Sequence, residues 1–172
     1  YDVPPGCAGG LHAVVAAAET HPACITLSDM SIPGSPMVYV NHEFCRVTEY
    51  SRQAATGRNC RFLQGPSTEP QSVAVIQDTL RRGVDCYVKI TNYRKDGTLF
   101  SNLLSMKPIF DSNSVYRFCV GVQFEITPEA AADLPRRVKL LEQLLRLLRR
   151  LVHILTVCML SHVQVGHVCA RS

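Results

Sequence analysis

The chain has 172 residues, 47% hydrophobic and 19% charged, enough for one domain of ordinary size with an appendage, and this composition argues against wholesale disorder. A formal charge of +4 does not by itself mark a nucleic-acid binder, so its distribution carries more than its sum. Eight cysteines (Cys7, Cys24, Cys45, Cys60, Cys86, Cys119, Cys158, Cys169) are scattered without a CxxC pair or a repeating spacing, which argues against a disulfide framework or a zinc knuckle and reads as reduced thiols in a cytoplasmic protein.

The opening YDVPPGCAGG is turn-like and lacks the basic-then-apolar order of a signal peptide. A chain starting on Tyr1 reads as a fragment of a longer one. Residues 11–21 predict a short alanine-rich helix ended by Pro22. Strands are expected at 24–29 and 36–40, joined through SIPGSP, whose two prolines and glycine mark the connection. Asn41 and Ser51 are N-caps of two short helices, NHEFCRVTEY and SRQAATG, the second ending at Gly57. Ser67 and Thr68 open a longer helix, Pro70 to Arg82, stopped by Gly83. Three strands follow, at 84–94, 98–109 and 115–126, separated by the turns KDG and DSNS. Two strands, several short helices, then three strands make an α+β fold with an antiparallel sheet and its helices on one face.

Beyond Pro128 the pattern becomes helical. Leu134, Val138, Leu141, Leu145, Leu148 and Val152 step alternately by four and three, a heptad seam that continues through Leu155 and Met159. A second stripe runs beside it from Leu140 to Cys158. The longest apolar run, Leu151 to Leu160, is broken by His153 and Thr156 and falls short of the ~20 residues that cross a bilayer. The expected organisation is a flanking helix at 1–23, a domain at 24–127, an output helix at 128–160 and a tail at 161–172.

Alternation along the three later strands puts Val88, Ile90 and Asn92 on one face, Asn102, Leu104 and Met106 on one face, and Cys119, Gly121 and Gln123 on one face. If these faces coincide, apolar walls carry amides at three places. An unmade buried hydrogen bond costs about 1–3 kcal/mol, so such amides suit a flat ligand with donors and acceptors along one edge. They could equally face solvent or satisfy one another.

The run GRNCRFLQGP, Gly57 to Pro66, places one thiol among hydrogen-bonding side chains with no neighbouring base. With TEYS, NYRKDG, SNLL and GVQ further along, it resembles the LOV (light, oxygen, voltage) subclass of PAS domains over residues 24–126. The resemblance implies a five-stranded antiparallel sheet with helices enclosing flavin mononucleotide (FMN), and a blue-light receptor that is not an enzyme. Cys60 would bond reversibly to flavin carbon C4a, a task suited to a soft nucleophile that is also a good leaving group. Arg61 would hold the phosphate. Asn59 and Gln64 would bond the ribityl chain and pyrimidine region, and Asn92 and Asn102 the pyrimidine edge. Gln123 would bond O4 and N5, and rotate when N5 gains a proton, because an amide both donates and accepts. Thr26, Ser28, Leu63, Leu80, Leu104 and Met106 would line the ring.

The chain departs from the family pattern in places. Gln77 stands where many members have a second phosphate-facing arginine, and Cys119 and Leu104 stand where aromatics are common, which opens space near the ring. Cys119 reads as a core filler.

For output, the heptads favour a homodimer through the flanking helices, with an effector domain elsewhere in the full-length chain. Arg136, Arg137, Lys139, Arg146, Arg149 and Arg150 also suit a membrane-recruited switch or a partner that takes a basic helix. No motif for direct nucleic-acid binding is present. The competing readings are a flavin redox sensor of PAS type and a pure dimerisation domain.

Overall fold

Five stretches rich in β-branched and aromatic residues become strands: β1 Cys24–Asp29, β2 Met37–Val40, β3 Cys86–Tyr93, β4 Leu99–Phe110 and β5 Tyr116–Glu125. The computed structural model describes residues 15–16, 18–110 and 113–127, together with Arg136, Lys139, Gln143 and Arg146. The apolar stripes of the C-terminal stretch, the tail, residues 11–14 of the first helix, and Cys7, Cys158 and Cys169 lie outside the described residues.

The strands form one antiparallel sheet in the order β2-β1-β5-β4-β3. The sequence order thus folds back on itself: β1 lies between β2 and β5, so the first and last strands are neighbours at the centre. The helices α1 His42–Thr48, α2 Arg52–Ala55 and α3 Pro70–Arg82, with a 3-10 turn at Cys60–Leu63, occupy the connection between β2 and β3.

Asn41 begins α1 and does more than cap it. Its Oδ1 accepts from Phe44 N (3.1 Å) and Ile25 N (2.9 Å), while its Nδ2 donates to the carbonyls of Ala18 (2.9 Å) and Ala23 (2.8 Å). One fully buried amide therefore ties the N-terminal helical residues, β1 and α1 together. Ser51 caps α2 through Ala54 N, as its position predicts. The start of α3 differs from expectation. Glu69 is its N-cap, with Pro70 in the first turn, and Thr68 faces the sheet instead. The Thr68 hydroxyl accepts from Gly65 N (3.0 Å) and donates to the carbonyl of Thr91 (2.7 Å). The Glu69 carboxylate accepts from both Thr91 N and Thr91 Oγ1 (2.7 Å each). These bonds cover an outward-facing amide of edge strand β3, where an open edge invites pairing with another chain. Gly83 ends α3 at φ 61°, in the left-handed region that suits glycine.

The sheet buries both faces. On the outer face Ala18 packs with Ile25, Ile109, Val120, Val122 and Phe124. On the inner face one cluster joins Met37, Val40, Phe44, Val47, Leu63 and Phe100 beneath α1 and α2. A second joins Ile76, Cys86, Ile90, Leu104, Met106 and Cys119 beneath α3. A cleft lies on the inner face and takes walls from both.

Candidate functional site: a neutral cleft between the sheet and the Cys60 turn

Strand register makes the three expected faces one surface. Ile90 pairs with Asn102, Leu104 with Gln123, Met106 with Gly121, Gly121 with Thr26, and Cys119 with Ser28. Opposed residues share a face in an antiparallel pair, so these side chains form a continuous floor. Gly121 is required in it. A Cβ there would stand 2.6 Å from Thr26 Oγ1.

The three amides are buried, at 5% (Asn92), 1% (Asn102) and 5% (Gln123) exposure, which excludes the solvent face. They partly satisfy one another. Asn102 Nδ2 donates to Asn92 Oδ1 (2.8 Å) and to Gln123 Oε1 (2.9 Å). Asn92 Nδ2 donates to the carbonyl of Leu63 (3.3 Å), joining the floor to the turn above it. Asn102 Oδ1 is buried without a hydrogen-bond partner. A buried acceptor left unmade at the centre of an amide set is what a ligand donor would satisfy.

The opposite wall is the 3-10 turn with Ile76 and Leu80 of α3. Asn59 caps this turn: its Oδ1 accepts from Arg61 N (3.0 Å), and its Nδ2 donates to the carbonyls of Gly34 (2.7 Å) and Ser35 (3.4 Å). The Asn59 amide is thus engaged in holding the turn and the β1–β2 connection, and it fixes the backbone that carries Cys60. Behind the turn Phe62 meets Tyr50 edge-on (4.8 Å), and Arg58 lies 4.0 Å over its ring.

Cys60 lines the cleft, and burial pushes its thiol up from the ordinary value, outweighing a backbone hydrogen bond and nearby Arg61. The group is a neutral thiol at pH 7. Across the cleft, burial pushes the Cys119 thiol up to about 12. The five described cysteines (Cys24, Cys45, Cys60, Cys86, Cys119) are free. Among the described residues no group of His, Cys, Asp and Glu could hold a metal.

Counted out to its mouth, with the open space at the rim included, the cleft encloses about 610 Å³. Its walls are apolar side chains, amides, hydroxyls and two thiols, and among the described residues none that lines it is an acid, a histidine, a lysine or an arginine. An ordinary thiol enzyme needs a base beside its cysteine, and none is here.

The PAS-domain family model matches residues 22–128. Over 121 residues, 68% of the chain, it is 38% identical to blue-light-activated histidine kinase 2 of Erythrobacter litoralis, covering 35% of that protein. It is 42% identical to phototropin-2 of Oryza sativa subsp. japonica over 101 residues, 59% of this chain and 11% of that one. Among solved structures, the LOV domain of Erythrobacter litoralis EL346 blue-light activated histidine kinase is 40% identical. It superposes with a TM-score of 0.60, covering 62% of this chain and 97% of that one. The Rhodobacter sphaeroides LOV protein gives 0.71 at 32% identity, covering 81% and 82%. The chain is a LOV domain of the PAS family.

The LOV fold brings most of the expected site together. Thr26, Ser28, Leu63, Leu80, Leu104 and Met106 line the cleft, as do Asn59, Cys60, Gln64, Asn92, Asn102, Cys119 and Gln123. Arg61 and Gln77 do not; both are exposed outside it. The cleft also takes Met30, Ser35, Ile76, Ile90 and Gly121. Strand alternation already put Ile90 and Gly121 on the correct face. Met30 continues the Thr26–Ser28 alternation, and Ile76 lies one helical turn before Leu80, so both carried a readable signal. Ser35 carried none: it belongs to an irregular connection and reaches the cleft at φ 48°.

Proposed function

We propose that this LOV domain binds FMN in the cleft and acts as a blue-light sensor through a reversible bond between Cys60 Sγ and flavin carbon C4a. The observation that carries the reading is a neutral thiol facing a floor of buried amides, with no acid or base in the same cleft. The unpartnered Asn102 Oδ1 and the apolar walls fit a flavin ring with one polar edge. Bound flavin supplies the light absorption and, once excited, the electrophilic carbon.

Cys60 would supply the nucleophile and the proton for that bond, and would take both back when it breaks. Asn59 keeps the sulfur in place through the turn. Asn92 and Asn102 would hold the pyrimidine edge. Gln123 lies beside both Asn102 and the last residues of β5, so a rotation of its amide alters the bond to Asn102 and reaches the strand end. There Glu125 pairs with Arg94 (2.6 Å), which also donates to the carbonyl of Val47 in α1.

The signal would leave through the flanking helices as a change in homodimerisation or in an attached effector. This chain spans about a third or less of the named kinase and phototropin, so such an effector lies outside it. Arg136, Lys139, Gln143 and Arg146 are helical and exposed at spacings of three and four, which supports one polar face on that helix. No helix among the described residues is long and apolar enough to cross a membrane.

The test is the visible spectrum before and after a blue pulse, and again in the dark. The structured flavin band should bleach and recover in the natural sequence and stay unchanged in Cys60→Ala. A variant that bleaches in the same way removes the adduct, and a redox role for the fold takes its place.

A further inference from the structure

The 3-10 turn that carries Cys60 is four residues long, and a 3-10 segment has poorer hydrogen-bond geometry than an α-helix. Its first end is held by the Asn59 amide, and its last residue, Leu63, accepts from Asn92 Nδ2 (3.3 Å). Between them Phe62 packs with the cluster beneath α1 and α2, edge-on to Tyr50 (4.8 Å). The guanidinium of Arg58 lies over the Phe62 ring, its Cζ 4.0 Å from the ring centre and 5.9 Å from that of Tyr50. That guanidinium is anchored from outside the turn. Arg58 Nη1 donates to the carbonyl of Ala54 and Arg58 N to that of Ala55, both in α2 (3.4 Å each). The Arg58 carbonyl accepts from Met37 N of β2 (2.9 Å). A cation tied to α2 and β2 therefore bears on the aromatic ring of the turn.

We propose that Arg58 is a positioning residue for Cys60: its guanidinium, clamped over Phe62, seats the turn and so fixes where the thiol stands in the cleft. The proposal deepens the flavin reading above and rests on it for the photochemical half of its test. Arg58 acts through Phe62, two residues along the chain from the cysteine. A cation over a ring face in an exposed setting shifts the balance between a seated and a displaced turn by about two- to fivefold. The effect is local, because the partners of the guanidinium all lie behind the turn.

The experiment compares the natural sequence with Arg58→Met, which keeps an apolar stem and drops the charge, and Arg58→Lys, which keeps the charge. Amide hydrogen exchange in the dark is read at Arg61, Phe62 and Gln64, whose N–H groups close the turn, and across α3 as a reference. In Arg58→Met, exchange at the turn should rise about two- to fivefold while α3 stays unchanged. Bleaching of the flavin band per photon absorbed should fall in the same variant, with flavin affinity unchanged, and Arg58→Lys should restore most of both. Unchanged exchange at the turn in Arg58→Met overturns the proposal. A rise at the turn and in α3 alike also overturns it, because Arg58 would then support the whole fold. Arg58→Lys behaving as Arg58→Met does so too, since the charge over the ring would then be irrelevant. A looser turn with undiminished bleaching means that other contacts place the thiol, and it equally sinks the idea. Failure of the natural sequence to bleach is a separate result: the flavin reading then fails, and the exchange comparison still decides whether Arg58 seats the Cys60 turn.

Discussion

Asn102 is the residue on which the cleft turns. Its Nδ2 supports both Asn92 and Gln123, and its Oδ1 is the buried acceptor without a partner. Asn102→Ala leaves two amide oxygens without their donor, so it should lower stability by about 1–3 kcal/mol, measured by urea denaturation of the flavin-free chain. An unchanged midpoint would mean the amides are not coupled. Gly121 poses a steric version of the same test. Its missing Cβ makes room for Thr26 Oγ1, so Gly121→Ala should cost about 1–3 kcal/mol, and adding Thr26→Ala should recover part of that loss. Equal losses in the single and double variants would show that the strain lies elsewhere. At Cys60 the absence of a base is informative, because a thiol held neutral by burial cannot serve as a thiolate nucleophile at pH 7 without outside activation.

At the scale of elements, the short helices hold their places through side chains instead of length. A seven-residue helix such as α1 has little stability of its own. Asn41 compensates with bonds to Phe44, Ile25, Ala18 and Ala23. Asn41→Ala should therefore cost about 2–4 kcal/mol, more than an ordinary cap, and it should loosen the N-terminal helical residues in hydrogen exchange. A loss of only ~1 kcal/mol would reduce Asn41 to a cap. The same residues are tied a second way, by Glu19 accepting from Tyr39 Oη (2.8 Å) and pairing with Arg52 (2.5 Å). Both links join the flanking helix to β2 and the start of α2, close to the strands that carry the cleft. Glu69 and Thr68 do comparable work for α3, seating it against β3 so that Ile76 and Leu80 close the cleft.

Across the whole molecule, buried thiols set an alkaline limit. Burial raises Cys24, Cys60 and Cys119 above the ordinary thiol value of 9.0. Above that pH the unfolded chain releases protons that the folded chain retains. The stability these groups contribute is full below pH 9 and declines as pH rises toward about 12, where Cys119 itself ionises. Urea midpoints should accordingly fall between pH 7 and pH 10, and by less in Cys119→Ala. A midpoint insensitive to pH in this range would mean these thiols ionise equally in both states.

The sequence by itself determined the elements and most of the residues that line the cleft. Strand alternation identified the floor residues, Asn41 and Ser51 marked the starts of α1 and α2 and Gly83 the stop of α3, and the Gly57–Pro66 run carried the resemblance to the LOV family. These are local signals, readable because side-chain period and backbone preference act over a few residues. Only the tertiary structure decided that β1 inserts between β2 and β5, since pairing over that separation in sequence leaves no local trace. It also decided that Thr68 and Glu69 serve the sheet edge, and that the Asn59 amide is engaged with the turn and the β1–β2 connection. It also left Arg61 and Gln77 outside the cleft, whose lining carries no charged side chain among the described residues. Whether a side chain beside a motif faces a cavity or solvent depends on the angle at which its turn or helix packs, and that angle is set by contacts with distant strands.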